Sequence, residues 1–201
     1  YIQLFKKIKD RDILCGSVKY LKTKVKKENF TRYRQSRHFI INTNNLNKKN
    51  YLSAKQIVTM NMGMKNSKLL KRTKYFNEKF GGYGFEDYEF GYRLIKQGFK
   101  FIASKPVVYH LDERNYREYL GKIYFLSRYS VSKLKAINHD SWKDTIYFKI
   151  ENNLIVNFLS KVKLINVFFE NFEKLIEFIE KNIFLYLPKL YRFGIFLSYC
   201  R

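Results

Sequence analysis

Apolar residues recur with helical spacing in the second half of the chain. From Lys161 to Asn182 they occupy the i, i+3, i+4 and i+7 positions of one helix face, and Glu and Lys fill the other face. Residues 115–137 also follow a helical pattern, whereas Pro188 and Gly194 are expected to break the basic, aromatic end. The second half is therefore predicted to be helical.

In the first half, short apolar runs have the length and composition of strands. Asp12 to Tyr20 is apolar enough for a buried strand, and Val58 to Met64 forms a second run. Residues 99–110 are predicted to form two short strands separated by Pro106. Because helical patterns separate these runs, we expect an α/β domain in which the first run pairs with a later one.

The remaining first-half segments are predicted to be helices and loops. A helix is expected from about Glu86 to Gln97, with Gly98 as its stop, and another near Ser67 to Arg72. Residues 22–50 are polar and basic, and they are interpreted as a long loop with one helix at about Phe30 to Ser36.

The chain is strongly basic, with 40 Lys and Arg against 17 Asp and Glu and a net charge of +23. Such a charge suits an anionic partner, namely nucleic acid, an anionic membrane surface or a phosphorylated substrate. A genome rich in A and T would also inflate Lys together with Asn, Ile, Phe and Tyr, and both explanations stay open. Hydrophobic residues make up 46%, which argues against disorder. Cys15 and Cys200 suggest neither a disulfide framework nor a metal-ligand spacing.

The segment from Gly81 to Glu89 reads GGYGFEDYE and offers the clearest candidate chemistry. A glycine-rich turn delivers two adjacent carboxylates, Glu86 and Asp87, to the first turn of a helix, whose N-terminus favours their ionised form. An ionised carboxylate can accept a proton from a sugar hydroxyl, and the glycines would let a sugar ring approach. On spacing alone, a helix cap is the favoured interpretation of the two carboxylates.

The stretch NEKFGGYGFEDYEFGYRL from Asn77 to Leu94, followed by Gly98, Pro106 and His110, resembles the C-terminal half of family 2 glycosyltransferases of the GT-A type. The resemblance covers roughly residues 1–115 and is most specific in the 76–110 stretch. It implies a partial, Rossmann-like GT-A domain over residues 1–115, and residues 116–201 would be a helical C-terminal extension. The chain would be the acceptor-side half of an inverting, hexosyltransferase-like enzyme.

The resemblance also implies roles for individual residues. Asp87 would be the catalytic base and Glu86 would orient the acceptor, while Tyr83, Gly84, Phe85 and Asn61 would contact it. His110 would be a ligand of the divalent metal, Mn or Mg, that holds the donor diphosphate. Taken alone, His110 also fits an ordinary half-buried histidine. Glu86, Asp87 and His110 are expected to lie around one cleft.

One departure from the family pattern concerns the donor site. The Asp-x-Asp that binds metal and diphosphate should follow an apolar strand, whereas Asp10-Arg11-Asp12 precedes one and is interpreted as a turn. We therefore expect the region to depend on a complementing N-terminal, nucleotide-binding half and to be inactive alone. The chain begins at Tyr1 within an apolar-patterned segment, which suggested an internal cut.

The resemblance implies two partners, a nucleotide-sugar donor and a glycan acceptor, and no nucleic acid. The implied setting is the biosynthesis of capsule, lipooligosaccharide or another surface polysaccharide. The expected location is cytoplasmic, or peripheral at the inner face of the plasma membrane, with Leu187 to Arg201 as the candidate membrane contact. The alternative is a non-catalytic basic module that binds nucleic acid or a membrane surface, since aromatic residues interleave with Lys and Arg. That alternative gives no role to the Gly-Tyr-Gly-Phe-Glu-Asp turn.

Overall fold

The protein is a mixed α/β structure with one three-stranded sheet in its described part. A computed structural model describes residues 1–38, 51–66, 75–112, 115–154, 158, 164–182 and 186–200. The strands are β1 (Asp12–Lys19), β2 (Met62–Met64) and β3 (Lys100–Tyr109). The helices in chain order are α1 (Ile2–Phe5), α2 (Lys22–Lys27), α3 (Asn29–Arg37), α4 (Glu86–Lys96), α5 (Tyr116–Phe125), α6 (Val131–Ile137), α7 (His139–Lys143), α8 (Ile146–Glu151), α9 (Leu164–Asn182) and α10 (Pro188–Cys200).

The chain forms two compact units. The sheet unit comprises Tyr1–Leu21, Ser36–Gly81 and Phe85–Leu111, and the helical unit comprises Lys22–Gln35, Gly82–Gly84 and Asp112–Arg201. The sequence had suggested one boundary near residue 115. The helical unit also includes two earlier segments, Lys22–Gln35 and the short Gly82–Gly84 turn, which make their contacts with the later helices.

The sheet has the order β2-β1-β3, and β1 is its central strand. β1 pairs antiparallel with β2 and parallel with β3, so the predicted pairing of the first apolar run is confirmed for both later runs. Most residues of β1 are buried, as a strand covered on both faces requires. The packed core of the unit consists of Ile13, Cys15, Leu52, Ile57, Phe90, Leu94, Phe99, Phe101 and Ala103.

The prediction of two separate strands around Pro106 is wrong, because β3 runs through the proline. The β1–β3 register shifts between Cys15 and Ser17, so that Cys15 pairs with Ala103 and Ser17 with Val107. The extra residues of β3 accommodate Pro106, which cannot donate a ladder hydrogen bond, at this irregularity.

Helix α4 begins and ends close to the predicted positions. Gly98 has φ +83°, a left-handed conformation that ends a helix at little cost when the residue is glycine. The N–H groups of Gln97 and Phe99 donate to carbonyls of the last turn, including that of Leu94. Phe90 and Leu94 are fully buried, so this face of α4 anchors the helix in the sheet unit.

The helical unit is built mainly from aromatic and aliphatic side chains of separate helices. Its buried cluster contains Phe30, Tyr33, Tyr116, Leu120, Phe169, Ile176, Tyr191, Leu197 and Cys200. The interpretation of residues 22–50 as a loop with one helix is corrected by the presence of both α2 and α3. Helix α3 forms because Phe30 and Tyr33, one turn apart, are both buried in this cluster.

Pro188 and Gly194 are expected to interrupt the C-terminal end of the chain, but α10 contains both residues. Pro188 occupies the first position of α10, where the missing N–H would have no helical partner. Gly194 lies inside α10, and a side chain there would collide with the hydroxyl of Tyr116. The glycine therefore allows α10 to approach α5 closely.

Helix α9 confirms the long amphipathic pattern over its described residues, with Phe169 and Ile176 buried. The predicted helix near Ser67 to Arg72 lies outside the described residues. Within the described part of the chain, no helix combines the length and the apolar character needed to cross a membrane.

Candidate functional site

The turn that precedes α4 adopts a backbone that its sequence partly explains. Gly82 and Gly84 have φ values of +111° and +104°, which are accessible to glycine. Phe85 also has a positive φ of +71°, the only non-glycine residue of the described chain to do so. A bulky residue in this region costs about 1–2 kcal/mol, so the surrounding structure must hold the turn in place.

The glycines of the turn make room for protein side chains. A Cβ atom at Gly82 would lie 2.6 Å from the ring of Phe125, and one at Gly84 would lie 2.7 Å from Leu126, all within the helical unit. Packing within the helical unit is therefore sufficient to explain these glycines, and the approach of a sugar ring to the turn stays a prediction. Their lack of side chains lets the turn pack against the junction that follows α5.

Tyr83 is fixed within the helical unit by two contacts. Its carbonyl oxygen accepts a hydrogen bond of 2.6 Å from the hydroxyl of Ser130, and the ammonium of Lys122 lies 4.8 Å from its ring centroid. One ring face is thus already in a cation–π contact. Phe85 belongs to the sheet unit, where its ring meets that of Tyr88 edge-on at 6.4 Å.

Asp87 lies in the first turn of α4 and is held by Thr59. The Thr59 hydroxyl donates to Oδ1 of Asp87 at 2.5 Å, and the Thr59 N–H points to Oδ2 at 3.4 Å. The side chain of Asp87 is only partly buried. A carboxylate that is oriented by a neighbour and still partly exposed has the geometry required of a general base.

Glu86, also half-buried, presents a different environment. Its Oε2 atom is buried, and no group within the described part of the chain donates a hydrogen bond to it. A carboxylate oxygen covered by protein without a donor is unfavourable. Glu86 is therefore the residue of this helix start whose hydrogen-bonding capacity is least used.

Glu89, the third acid in the first turn of α4, has a structural role. It is 2% exposed, and its Oε1 accepts a hydrogen bond of 2.9 Å from Nε of Arg93, four residues later. Arg93 also donates to the carbonyl of Tyr75 at 2.8 Å. The buried carboxylate is thus neutralised by its own helix, and the motif's arginine is used for folding.

Asn61, expected to touch the acceptor, is 3% exposed. Its amide nitrogen donates to the carbonyls of Ser17 and Pro106 at 2.8 and 3.0 Å, and its Oδ1 accepts from the Tyr1 hydroxyl at 2.6 Å. The side chain bridges β1 and β3 at their register shift. This placement argues against acceptor contact, and the proposal below does not use Asn61.

His110 lies directly after β3, at the edge of the sheet where β1 also ends. Its N–H donates to the carbonyl of Lys19 at 2.8 Å, which continues the pairing of the two strands. Its ring packs against that of Tyr20, with centroids 5.3 Å apart, and lies 6.2 Å from the ring of His38. That His110 shares a cleft with Asp87 stays a prediction.

Sequence reasoning missed two residues that the fold brings to these groups. Thr59 is 28 positions from Asp87, and no local pattern marks it as a partner. The other is His38, which follows α3 and lies beside His110, 72 positions later in the chain. In the part of the chain that is described, no three His, Cys, Asp or Glu side chains group as a metal ligand set.

Comparisons of the chain with models of protein families, with curated proteins and with solved structures find no match. Any assignment of function therefore depends on the motif and on the geometry of these side chains.

Proposed function

We propose that this chain is the acceptor-side part of a glycosyltransferase of the GT-A type, which transfers a sugar from a nucleotide-sugar donor to a glycan acceptor. The observation that carries the proposal is Asp87, oriented by Thr59 in the first turn of α4 and still partly exposed. Glu86, beside it, keeps a carboxylate oxygen without a donor in the described structure. Two carboxylates with these different environments suit different tasks on one polyhydroxylated ligand.

In the proposed reaction, Asp87 accepts the proton of the acceptor hydroxyl as its oxygen attacks the anomeric carbon of the donor sugar. The bond between that carbon and the diphosphate oxygen breaks, and the nucleoside diphosphate leaves with inversion at the anomeric carbon. Glu86 accepts a hydrogen bond from another acceptor hydroxyl and so orients the sugar.

A divalent metal, when bound, would neutralise the charge of the diphosphate leaving group. His110 is the residue that the resemblance assigns to the metal, and a neutral imidazole is a suitable ligand for it. The proposal includes surface polysaccharide biosynthesis as the setting and the cytoplasm, or the inner face of the plasma membrane, as the location.

The test measures saccharide binding by the purified chain, with ligand-observed NMR as the method and a panel of mono- and oligosaccharides as the ligands. We expect one saccharide class to bind, and Glu86→Gln to weaken this binding about tenfold or more because a charged acceptor is lost. Glu78→Gln, a change of an exposed acid before the turn, is the matched control and should bind like the wild type.

The competing basic module makes the opposite prediction. Such a protein would bind single-stranded nucleic acid or anionic vesicles with strong salt dependence and would not respond to Glu86→Gln. Tight nucleic-acid binding without any saccharide binding would therefore overturn the proposed function.

A further inference from the structure

Two of the three histidines of the chain come together at one edge of the sheet. The rings of His38 and His110 lie 6.2 Å apart between centroids, and each lies within 5.4 Å of the ring of Tyr20. All three residues belong to the sheet unit, although they come from the end of β1, the end of α3 and the end of β3.

The position of this group within the sheet is that of a ligand site. Tyr20 and His110 immediately follow β1 and β3, which are parallel, so both lie at the carboxyl ends of adjacent strands. In open α/β sheets, ligands bind outside the carboxyl ends of the strands. The two histidines are half-buried, whereas Tyr20, whose ring contacts both, is 2% exposed.

We propose that His38 and His110 together bind one transition-metal ion, with Tyr20 as a positioning residue. The inference adds a second ligand, His38, to the metal position of the proposed function, and it replaces the expected Mn or Mg by an ion that prefers nitrogen ligands. It rests on the proposed function only for the role of the ion. The binding itself requires no transferase activity.

The spacing of the rings is close to that of a metal-bound pair. Metal–nitrogen bonds of about 2.0–2.1 Å place the ring centroids of two histidine ligands about 5 Å apart around a tetrahedral ion. The observed 6.2 Å exceeds this by roughly 1 Å, which a side-chain rotation of His38, at the end of its helix, can supply. Nε2 of His38 lies 3.4 Å from the Tyr20 hydroxyl, a contact that orients the imidazole.

A site with two imidazole ligands should bind some divalent metal ions more tightly than others. Neutral imidazole nitrogen suits Zn²⁺, Ni²⁺, Cu²⁺ and Fe²⁺, whereas Mg²⁺ prefers oxygen ligands. The pair should therefore prefer Zn²⁺ or Ni²⁺ to Mg²⁺, and open coordination positions would remain for water or for the oxygen atoms of a ligand.

The test is titration calorimetry of the tag-free chain with zinc chloride, nickel chloride and magnesium chloride. We expect one Zn²⁺ or Ni²⁺ per chain and no saturable Mg²⁺ binding at the same concentrations. His38→Asn and His110→Asn should each weaken Zn²⁺ binding about tenfold or more, since loss of a ligand costs at least as much as loss of an outer-shell partner. His139→Asn, which alters the exposed third histidine of the helical unit, is the matched control.

A second measurement covers the case in which a variant does not fold. In the ¹⁵N-histidine-labelled wild type, Zn²⁺ should shift the ring-nitrogen signals of His38 and His110 together and leave those of His139 unchanged. Absence of saturable Zn²⁺ or Ni²⁺ binding, or shifts confined to His110, would contradict the proposal that His38 and His110 bind one ion together. Neither result would affect saccharide binding by Glu86, so failure of the metal site is distinguishable from failure of the proposed function.

Discussion

The hydroxyl of Thr59 donates a hydrogen bond to Oδ1 of Asp87, and the backbone N–H of the same residue lies 3.4 Å from Oδ2. This contact joins the short turn before β2 to the first turn of α4 within the sheet unit. It fixes the direction of the carboxylate that the proposed reaction requires as its base.

Replacement of Thr59 by Val should destabilise the protein by about 1–2 kcal/mol, because the partly buried Asp87 carboxylate loses a hydroxyl donor. The free energy of unfolding from urea denaturation measures the loss. Thr59→Ser keeps the hydroxyl and should stay close to the wild type. Destabilisation by Thr59→Ser as large as that by Thr59→Val would contradict the assignment of the effect to the hydroxyl donor, because Ser keeps the hydroxyl and Val does not.

Asp87→Asn should preserve the shape of the site but remove the base. When the chain acts together with a nucleotide-binding half, we expect sugar transfer to fall on the order of 10²-fold or more, with acceptor affinity changed much less. Turnover and saccharide binding, measured on the same preparation, separate these effects. Near-full turnover would move the role of base to Glu86.

Gly16→Ala should destabilise the protein by about 1–3 kcal/mol. A Cβ at this position would collide with the Asn61 amide and with the carbonyl oxygen of Pro106, where β1 and β3 change register. Thermal unfolding followed by circular dichroism measures the effect. Gly121→Ala is the control, because its Cβ would meet nothing within 4 Å in the described structure and should stabilise α5 by about 0.5–1 kcal/mol.

Arg93→Ala should cost about 3 kcal/mol or more of folding free energy, because it leaves the buried carboxylate of Glu89 without its cation. Arg117→Ala offers a direct comparison. Arg117 forms an ion pair with Glu173 at 3.3 Å, but its side chain is 71% exposed, so its loss should cost less than about 1 kcal/mol. Similar losses in the two variants would contradict a structural role for the Glu89–Arg93 pair.

Burial raises the pKa of the Cys15 thiol to about 12 and also raises that of Cys200. The thiolate is the reactive form, so neither cysteine of the folded chain should react readily with a thiol reagent at pH 8. Both should react once the protein is unfolded in denaturant, and a colorimetric thiol assay counts them. Rapid reaction of Cys15 under native conditions would show that β1 opens readily.

The raised pKa of Cys15 also predicts that the stability of the folded chain depends on pH. The folded state holds the Cys15 proton more tightly than the unfolded state, so its contribution is complete below the ordinary thiol pKa. It is lost progressively as the pH rises from about 8.5 toward 12. Cys15→Ser should reduce this part of the alkaline loss in urea titrations between pH 8 and 10.

Much of the secondary structure followed from the sequence because the responsible signals are local. The apolar run of β1, the stop at Gly98 and the amphipathic pattern of α9 each depend on residues within one element. Several of the predictions that failed concerned single residues, namely Pro106, Pro188 and Gly194. By local rules, each of these residues interrupts a regular element. In the fold, Pro106 lies at the register shift of β3 and Pro188 at the first position of α10, where a missing N–H costs little. Gly194 is tolerated within α10 because a side chain there would collide with Tyr116.

The sequence by itself determined the mixed α/β character, the expectation that the first apolar run pairs with a later one, and the placing of Glu86 and Asp87 at a helix start. Only the tertiary structure decided which partners these groups meet: Thr59 beside Asp87, Asn61 enclosed between β1 and β3, and His38 beside His110. The physical reason is that periodicity and turn chemistry act over a few residues. Contacts between distant positions instead depend on strand register and helix packing, which are fixed only when the chain folds.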